Sequence, residues 1–101
     1  MSVHPLYNSS GTLIAFRIGK NIFDPSGEWA GWLPWEDDYA VSPDGKYLGT
    51  ISADRLFCLK NPPKRGFAGY PVYPGAQSKP ALPGSASVVP LPATATDIVA
   101  V

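Results

Sequence analysis

Thiol and imidazole groups are scarce in this chain, which has one cysteine, Cys58, and one histidine, His4, among 101 residues. A single cysteine excludes a disulfide within the chain, and Cys58 stands in the apolar run LFCL, as a buried apolar residue would. One cysteine and one histidine cannot fill the ligand shell of a transition metal, and the spacing of a calcium-binding loop is absent. We therefore expect no metal and no other cofactor.

The chain also lacks net charge and long apolar runs. Eight basic residues balance eight acidic ones, so no general positive field exists to hold nucleic acid or an anionic membrane. Three cations in residues 60–66 form a small turn patch without aromatic residues at stacking spacing. No stretch approaches the roughly 18 apolar residues of a membrane span, and MSVHPLYNSS has no basic region followed by an apolar one. We expect no nucleic-acid partner, no membrane partner and a cytoplasmic location.

Helical periodicity is missing as well. No segment of residues 1–73 repeats its apolar residues every 3.6 positions, because Gly, Pro and β-forming residues interrupt every window. The length of the chain is that of one domain with a thin core. These features predict an all-β protein.

A repeated turn is what the sequence does contain. NSSG at residues 8–11, DPSG at residues 24–27 and SPDG at residues 42–45 each begin with Asn, Asp or Ser and end with Gly. This chemistry is typical of a hairpin loop in which a type I turn is followed by a glycine with positive φ and a bulge. The three turns therefore predict three β-hairpins.

A small residue follows each turn glycine at the same distance, namely Ala15, Gly31 and Gly49. FAGY at residues 67–70 matches WAGW at residues 29–32 and predicts a fourth copy, with Gly69 in the small-residue position and Arg65 in place of the turn glycine. One hairpin cannot bury its own apolar faces. We therefore expect four β-hairpin repeats that pack in a ring or closed cluster.

From Pro74 onward the composition changes to Pro, Gly, Ala and Ser. Residues 74–101 favour an extended, polyproline-like form, and two segments near the end favour added edge strands, SVV at residues 87–89 and DIVAV at residues 97–101. We divide the chain into a β-hairpin repeat domain, residues 1–73, and a Pro/Ala-rich tail, residues 74–101. The tail packs on its own body or on a neighbouring subunit, and the sequence leaves both arrangements open.

The stretch from LYNSSG to ADRLF, residues 6–57, resembles the bacterial family described as the 4-fold β-flower domain. The resemblance rests on the turn glycines and on the segments GEWAGWLPW and DGKYLGTI. It implies β-hairpins around a pseudo-fourfold centre, followed by a Pro-rich tail. The family has no established activity, so the resemblance implies no catalytic residue.

The enlarged loop LPWEDDY, residues 33–39, is the strongest candidate for a binding site. Trp35 has no counterpart in the shorter first repeat, and an indole beside carboxylates suits a sugar, a basic peptide or a proline-rich segment. The carboxylates are those of Glu36, Asp37 and Asp38. The alternative is that Trp35 fastens the loop to its own subunit or to a neighbour. Trp32 occupies a repeat position and is expected in the core, with partner binding as its second interpretation.

These features favour a non-enzymatic β-repeat protein that self-assembles as a homo-oligomer or holds a protein or peptide partner. The alternative is a carbohydrate- or peptide-binding module that uses the Trp35 loop. A small hydrolase is a third possibility, and it needs Asp37 or Asp38 withdrawn from water, because paired carboxylates divide acid and base roles only when their pKa values differ. Neighbours in a polar loop are more typical of two solvated charges. No phosphate-binding glycine loop or nucleophile elbow occurs.

Overall fold

The computed structural model describes residues 3–66, 68–78 and 80–98. Within these residues the chain forms eight β-strands and no helix, so the all-β prediction is confirmed. The strands are β1 Val3–Tyr7, β2 Leu13–Ile18, β3 Asn21–Phe23, β4 Trp29–Trp32, β5 Tyr39–Val41, β6 Tyr47–Ser52, β7 Arg55–Leu59 and β8 Ala95–Asp97.

The strands form one sheet in the order of the sequence, and the sheet closes on itself. Each strand pairs antiparallel with the next, from β1 to β8. Tyr7 of β1 also pairs in parallel with Arg55 of β7, so the first seven strands complete a ring. β8 is added to β7. The molecule is a flat disc with extents of 35, 34 and 20 Å.

The three predicted turns join β1 to β2, β3 to β4 and β5 to β6, and we call them the first, second and third corners. In each corner the glycine N–H donates to the carbonyl of the first turn residue, at 3.1, 3.0 and 2.9 Å in chain order. The glycine φ angles are 86°, 98° and 89°, a region that glycine enters without a Cβ clash. A register shift marks a bulge on the strand after each corner, where one extra residue is left unpaired: Ile14, Ala30 and Leu48. The prediction of three bulged hairpins is confirmed.

The hairpins share one apolar core. In the three predicted hairpins the small residues pair across the strands with buried residues, Ala15 with Leu6, Gly31 with Ile22 and Gly49 with Ala40. Leu56 of β7 is buried in the same cluster. A Cβ on Gly31 would lie 2.3 Å from the Val41 carbonyl oxygen, so the small residue allows β4 and β5 to approach closely.

The fourth hairpin is formed by β7 and β8. The prediction of a fourth copy at residues 67–70 is wrong for residues 68–70, which form no strand, and Phe67 lies outside the described residues. The described residues 61–66 and 68–78 hold no strand. Pro62 and Pro63, which follow β7 after two intervening residues, have no N–H to donate, and Arg65 stands in place of the turn glycine, so this segment is unsuited to a tight hairpin.

β8 completes the fourth hairpin from the far end of the chain. Phe57 pairs with Asp97 in an antiparallel register, and one further residue puts Ile98 opposite Leu56. Ile98 packs against the core, in the position that Ala15, Gly31 and Gly49 hold in the other hairpins. The fold is therefore four hairpins around a common centre, as the resemblance implies, with β8 in place of the expected strand.

Residues 60–94, which we call the belt, connect β7 to β8 where the other hairpins have a short corner. The belt passes the corners in reverse order. The Gln77 N–H donates to the Gly27 carbonyl at 2.9 Å in the second corner, and the Ala86 N–H donates to the Gly11 carbonyl at 2.7 Å in the first. The belt then returns to β7, where β8 begins. The division of the chain at residue 73 stays a prediction.

Candidate functional site

The predicted binding loop joins β4 to β5, and backbone hydrogen bonds anchor it to the disc. Leu33 is buried and its N–H donates to the Lys20 carbonyl at 2.8 Å. The Glu36 N–H donates to the Leu33 carbonyl at 3.1 Å, with Glu36 at a positive φ of 56°. At the other end the Asp38 carbonyl accepts a hydrogen bond from the Ile51 N–H at 2.9 Å. The three acidic residues of this anchored loop are exposed.

Trp35 is half-buried, because Arg65 of the belt lies over it. The guanidinium carbon of Arg65 is 5.0 Å from the centroid of the Trp35 ring and 4.8 Å from that of Tyr39. The two rings meet edge to face at 5.3 Å. Nη1 of Arg65 also lies 2.7 Å from Oδ2 of Asp37. This arrangement favours the interpretation in which Trp35 fastens its own loop, since an internal cation covers a ring face on which a ligand would stack.

Asp37 is held in its ionised form. A hydrogen bond from the Tyr39 N–H, at 2.9 Å, and the hydrogen bond and charge of Arg65 together lower the pKa of Asp37 below its usual value. A general acid at neutral pH needs its pKa raised by burial or by a like charge, which is the opposite direction. The geometry of Asp37 therefore does not support the acid role that a hydrolase would give it.

Trp32 lies in a second apolar cluster with Tyr39 and Val41, and Trp35 packs against this cluster. The Trp32 side chain is almost fully buried, with 9% of the residue exposed, as expected for a core residue. Its Nε1 has no hydrogen-bond partner among the described residues. The structure thus places Trp32, Trp35 and Asp37 around one aromatic cluster, whereas Glu36 and Asp38 remain solvated.

Arg65 is the member of this cluster that sequence reasoning missed. It belongs to the cationic segment of residues 60–66, which the sequence alone identifies only as a solvent-facing patch. The chain separation between Arg65 and Asp37 is 28 residues, so no local spacing connects them. The available signal was charge complementarity between an acidic loop and the nearest group of cations.

A separate cavity of about 140 Å³ lies where the ring closes, between β7 and the end of the belt. Its walls include Tyr7 and Arg55 on the disc and Val89 and Leu91 on the belt. The donors of Arg55 are largely used within the chain, by the Asn8 carbonyl at 3.0 Å and Asp54 at 3.1 Å. The cavity is therefore mainly apolar. Arg55 of β7 bonds to Asn8, the residue that follows β1, and so helps to hold β1 and β7 together where the ring closes.

The corners bind the belt through its backbone. At the first corner a Cβ on Gly11 would lie 2.1 Å from the Ala86 carbonyl oxygen, and at the second a Cβ on Gly27 would lie 1.9 Å from the Gln77 carbonyl oxygen. At these two corners the missing side chain thus makes room for a peptide group in addition to permitting positive φ.

The signal for this contact is a nine-residue repeat in the belt, which the sequence analysis missed. Three nonapeptides, residues 66–74, 75–83 and 84–92, each begin with Gly and end with Pro. Gln77 and Ala86, which donate to the two corners, are both the third residue of their nonapeptide. The belt therefore advances by one nonapeptide from one corner to the next.

Among residues 3–66, 68–78 and 80–98, no group of three His, Cys, Asp or Glu side chains is arranged to hold a metal ion. The same residues include no helix long and apolar enough to cross a membrane.

Comparison with known proteins identifies one family. A model of the family described as 4-fold beta flower protein matches residues 4–98. The match includes the belt and β8, so it extends well beyond the resemblance over residues 6–57. No curated protein and no solved structure matches the chain. The family description names a fold and no activity.

Proposed function

This chain belongs to the 4-fold β-flower family, and we propose that it is a non-enzymatic module that binds protein, first of all a second copy of itself. The supporting observation is the location of its exposed apolar side chains. Among the described residues, the large apolar side chains that remain exposed all lie in the belt: Tyr70, Val72, Tyr73, Val88 and Val89. Val72 is 85% exposed and Val88 is 77% exposed.

Such a surface is typical of a protein that binds another protein. The disc buries the large apolar side chains of its own hairpins, so the exposed ones are those of the belt. A Pro-rich, extended backbone loses little conformational entropy on binding, because proline already restricts φ. The belt therefore offers an apolar contact surface that loses little conformational entropy when it binds.

Self-association is tested by light scattering coupled to size exclusion, on the full chain over a range up to about 100 µM. We expect a mass above the 10.8 kDa of one chain, and a return to one chain in the double variant V72S/V88S. The matched control is A76S/A81S, which changes two exposed belt residues without removing a large apolar side chain. A wild-type protein that stays monomeric throughout, or a control that dissociates equally, contradicts the proposal.

A basic-peptide site at Trp35 is the second candidate, and one observation favours it over a sugar site. The cluster of Trp35, Tyr39 and Asp37 already holds a guanidinium group, that of Arg65. An arginine of a partner peptide would compete for the same position. If this is the function, Arg65→Ala increases the affinity for an Arg-containing peptide, as measured by tryptophan fluorescence, and Arg65→Ala with Asp37→Asn reverses the increase. No change in affinity in Arg65→Ala contradicts this function.

A further inference from the structure

The three corners have the same internal geometry. In the third corner the Ser42 N–H donates to the Lys46 carbonyl at 2.7 Å, as the Asn8 N–H donates to Thr12 at 3.0 Å in the first. The φ of Gly45, 89°, lies between those of the other two corner glycines. The third corner therefore presents the same glycine carbonyl and the same open side that bind the belt at the first and second corners.

The belt does not lie on the third corner as it does on the others. Among the described residues, no atom lies within 4 Å of the place where a Cβ on Gly45 would be. No backbone N–H of the described residues donates to the Gly45 carbonyl either. A groove of about 340 Å³ separates the corner from the belt, with Gly45 on one wall and Gly66 and Pro71 on the other.

The first nonapeptide, residues 66–74, is the one that the nine-residue register assigns to this corner. Its third residue is Ala68, the equivalent of Gln77 and Ala86. Ala68 packs instead against the Trp32 cluster, so the belt is drawn away from Gly45. The first nonapeptide also carries Val72 and Tyr73, two of the exposed apolar side chains. Among the described residues, a corner without a belt contact at its glycine and the exposed side chains of Val72 and Tyr73 thus belong to neighbouring parts of the surface.

We infer that these two features form a twofold interface between copies of this chain, in which residues 68–74 of the first nonapeptide of each copy dock on the Gly45 corner of the other. The inference rests on the proposed self-association and names its surface. A patch that contains both a site and its complement pairs with itself about a twofold axis, with each contact made twice. Docking would supply a backbone N–H to the Gly45 carbonyl, as Gln77 and Ala86 do at the other corners, and would cover Val72.

Gly45→Asn tests the corner directly. Asn tolerates positive φ better than other residues with a side chain, so the turn can form, while its Cβ occupies the place of the docking peptide group. We expect the dissociation constant of the dimer to rise at least about tenfold, measured by sedimentation over a concentration series. Gly19→Asn is the matched control, since Gly19 has φ 58°, belongs to no corner and has no described atom near its Cβ position. Gly19→Asn should leave the dissociation constant of the dimer unchanged.

A second measurement does not depend on how Gly45→Asn folds. In a Cys58→Ser background, one copy carries Asp44→Cys and another carries Val72→Cys, and the two are mixed under mild oxidation. We expect a disulfide between the two variants, because docking brings the third corner of one copy to the nonapeptide of the other.

The outcomes separate this inference from the proposed function. If V72S/V88S dissociates the protein whereas Gly45→Asn does not, and no mixed disulfide forms, self-association stands and the corner interface is wrong. If the wild-type protein is a monomer at every concentration, both are wrong.

Discussion

The peptide group of Gln77 lies directly on Gly27. Its N–H donates to the Gly27 carbonyl at 2.9 Å, and its carbonyl oxygen is 1.9 Å from where a Cβ on residue 27 would stand. Glycine is therefore required at position 27 for two reasons: it adopts the positive φ of the turn, and its missing side chain leaves space for the belt. Gly45 has the same φ requirement and, among the described residues, no belt atom in contact with its Cβ position. Comparing substitutions at Gly27 and Gly45 therefore separates the energetic effect of the positive φ from that of the belt contact.

Gly27→Ala should destabilise the protein more than Gly45→Ala. Placing alanine in the left-handed region costs about 1–2 kcal/mol in either corner. Gly27→Ala also displaces the Gln77 peptide group and its hydrogen bond, which raises the expected loss to about 2–4 kcal/mol. The free energy of unfolding in urea, measured well below the concentration of any association, gives the comparison. Equal losses would mean that the belt contributes nothing at the second corner.

Ile98→Ala should destabilise the fold although Ile98 lies near the end of the described chain. Ile98 packs against the core opposite Leu56, and its loss leaves a gap beside Gly49, whose Cβ position is 2.7 Å from the Ile98 side chain. We expect a decrease of about 2 kcal/mol in the free energy of unfolding. Val88→Ala removes an exposed belt side chain and should stay within about 0.5 kcal/mol of the wild type. A similar effect of both changes would argue against β8 as the fourth hairpin strand.

Arg65→Ala should shift the titration of Asp37 upward but only in part. The variant removes the hydrogen bond and charge of Arg65, so the pKa of Asp37 rises toward its usual value. The Tyr39 N–H, the larger cause of the lowered pKa, remains and keeps the pKa of Asp37 below that value. Carbon-detected NMR of the Asp37 carboxyl group measures both effects. The pair is partly exposed, so we expect a stability loss below about 1 kcal/mol.

Acid should destabilise the protein through its turn and loop aspartates. Burial raises the pKa of Asp24, but hydrogen bonds from the Ser26 hydroxyl and nearby backbone N–H groups outweigh it, so the net pKa is lowered. The Ser42 hydroxyl is the main cause of the lowered pKa of Asp44. Carboxylates with a lowered pKa stabilise the fold above the unfolded aspartate pKa of about 3.9, and the stabilisation is lost as pH falls through the folded pKa. Thermal unfolding between about pH 7 and pH 2 should therefore show a falling Tm below about pH 5.

Asp24→Asn separates the charge from the turn. Asparagine keeps an oxygen that accepts from the Ser26 and Glu28 N–H groups, at 2.9 and 3.0 Å in the wild type, but it does not titrate. The variant should lose part of the acid dependence while retaining its fold near neutral pH. An acid dependence identical to that of the wild type would exclude a contribution from Asp24.

The sequence predicts those parts of the fold that depend on residues close together in the chain. The corner at residues 8–11 requires a short polar side chain, a turn and a glycine within four positions, and all are visible in NSSG. Gly31 is similarly predictable, because its spacing from the corner glycine places it at a close strand approach. Local chemistry of this kind acts before the chain has any tertiary structure.

The candidate site was predictable only in part. The sequence brings Trp35 and Asp37 to one loop, but it cannot show that Arg65 occupies the space over the ring. That contact depends on the path of the belt after β7, and Arg65 is 28 residues away from Asp37 in the sequence, so no local spacing specifies it. The sequence therefore shows an aromatic and acidic loop. Only the folded chain shows that the guanidinium group of Arg65 occupies this loop.

By itself, the sequence determined an all-β chain of glycine-cornered hairpins, because turn geometry and strand alternation depend on neighbours. Only the tertiary structure decided that β8 completes the fourth hairpin and that the belt lies on the corners. FAGY at residues 67–70 resembles a strand, but pairing selects the segment that can both complete the ladder of β7 and bury an apolar side chain against Leu56. Ile98 meets both conditions at the far end of the belt. The sequence indicates an edge strand near the end of the chain, but not that this strand pairs with β7, because that choice depends on residues far apart in the sequence.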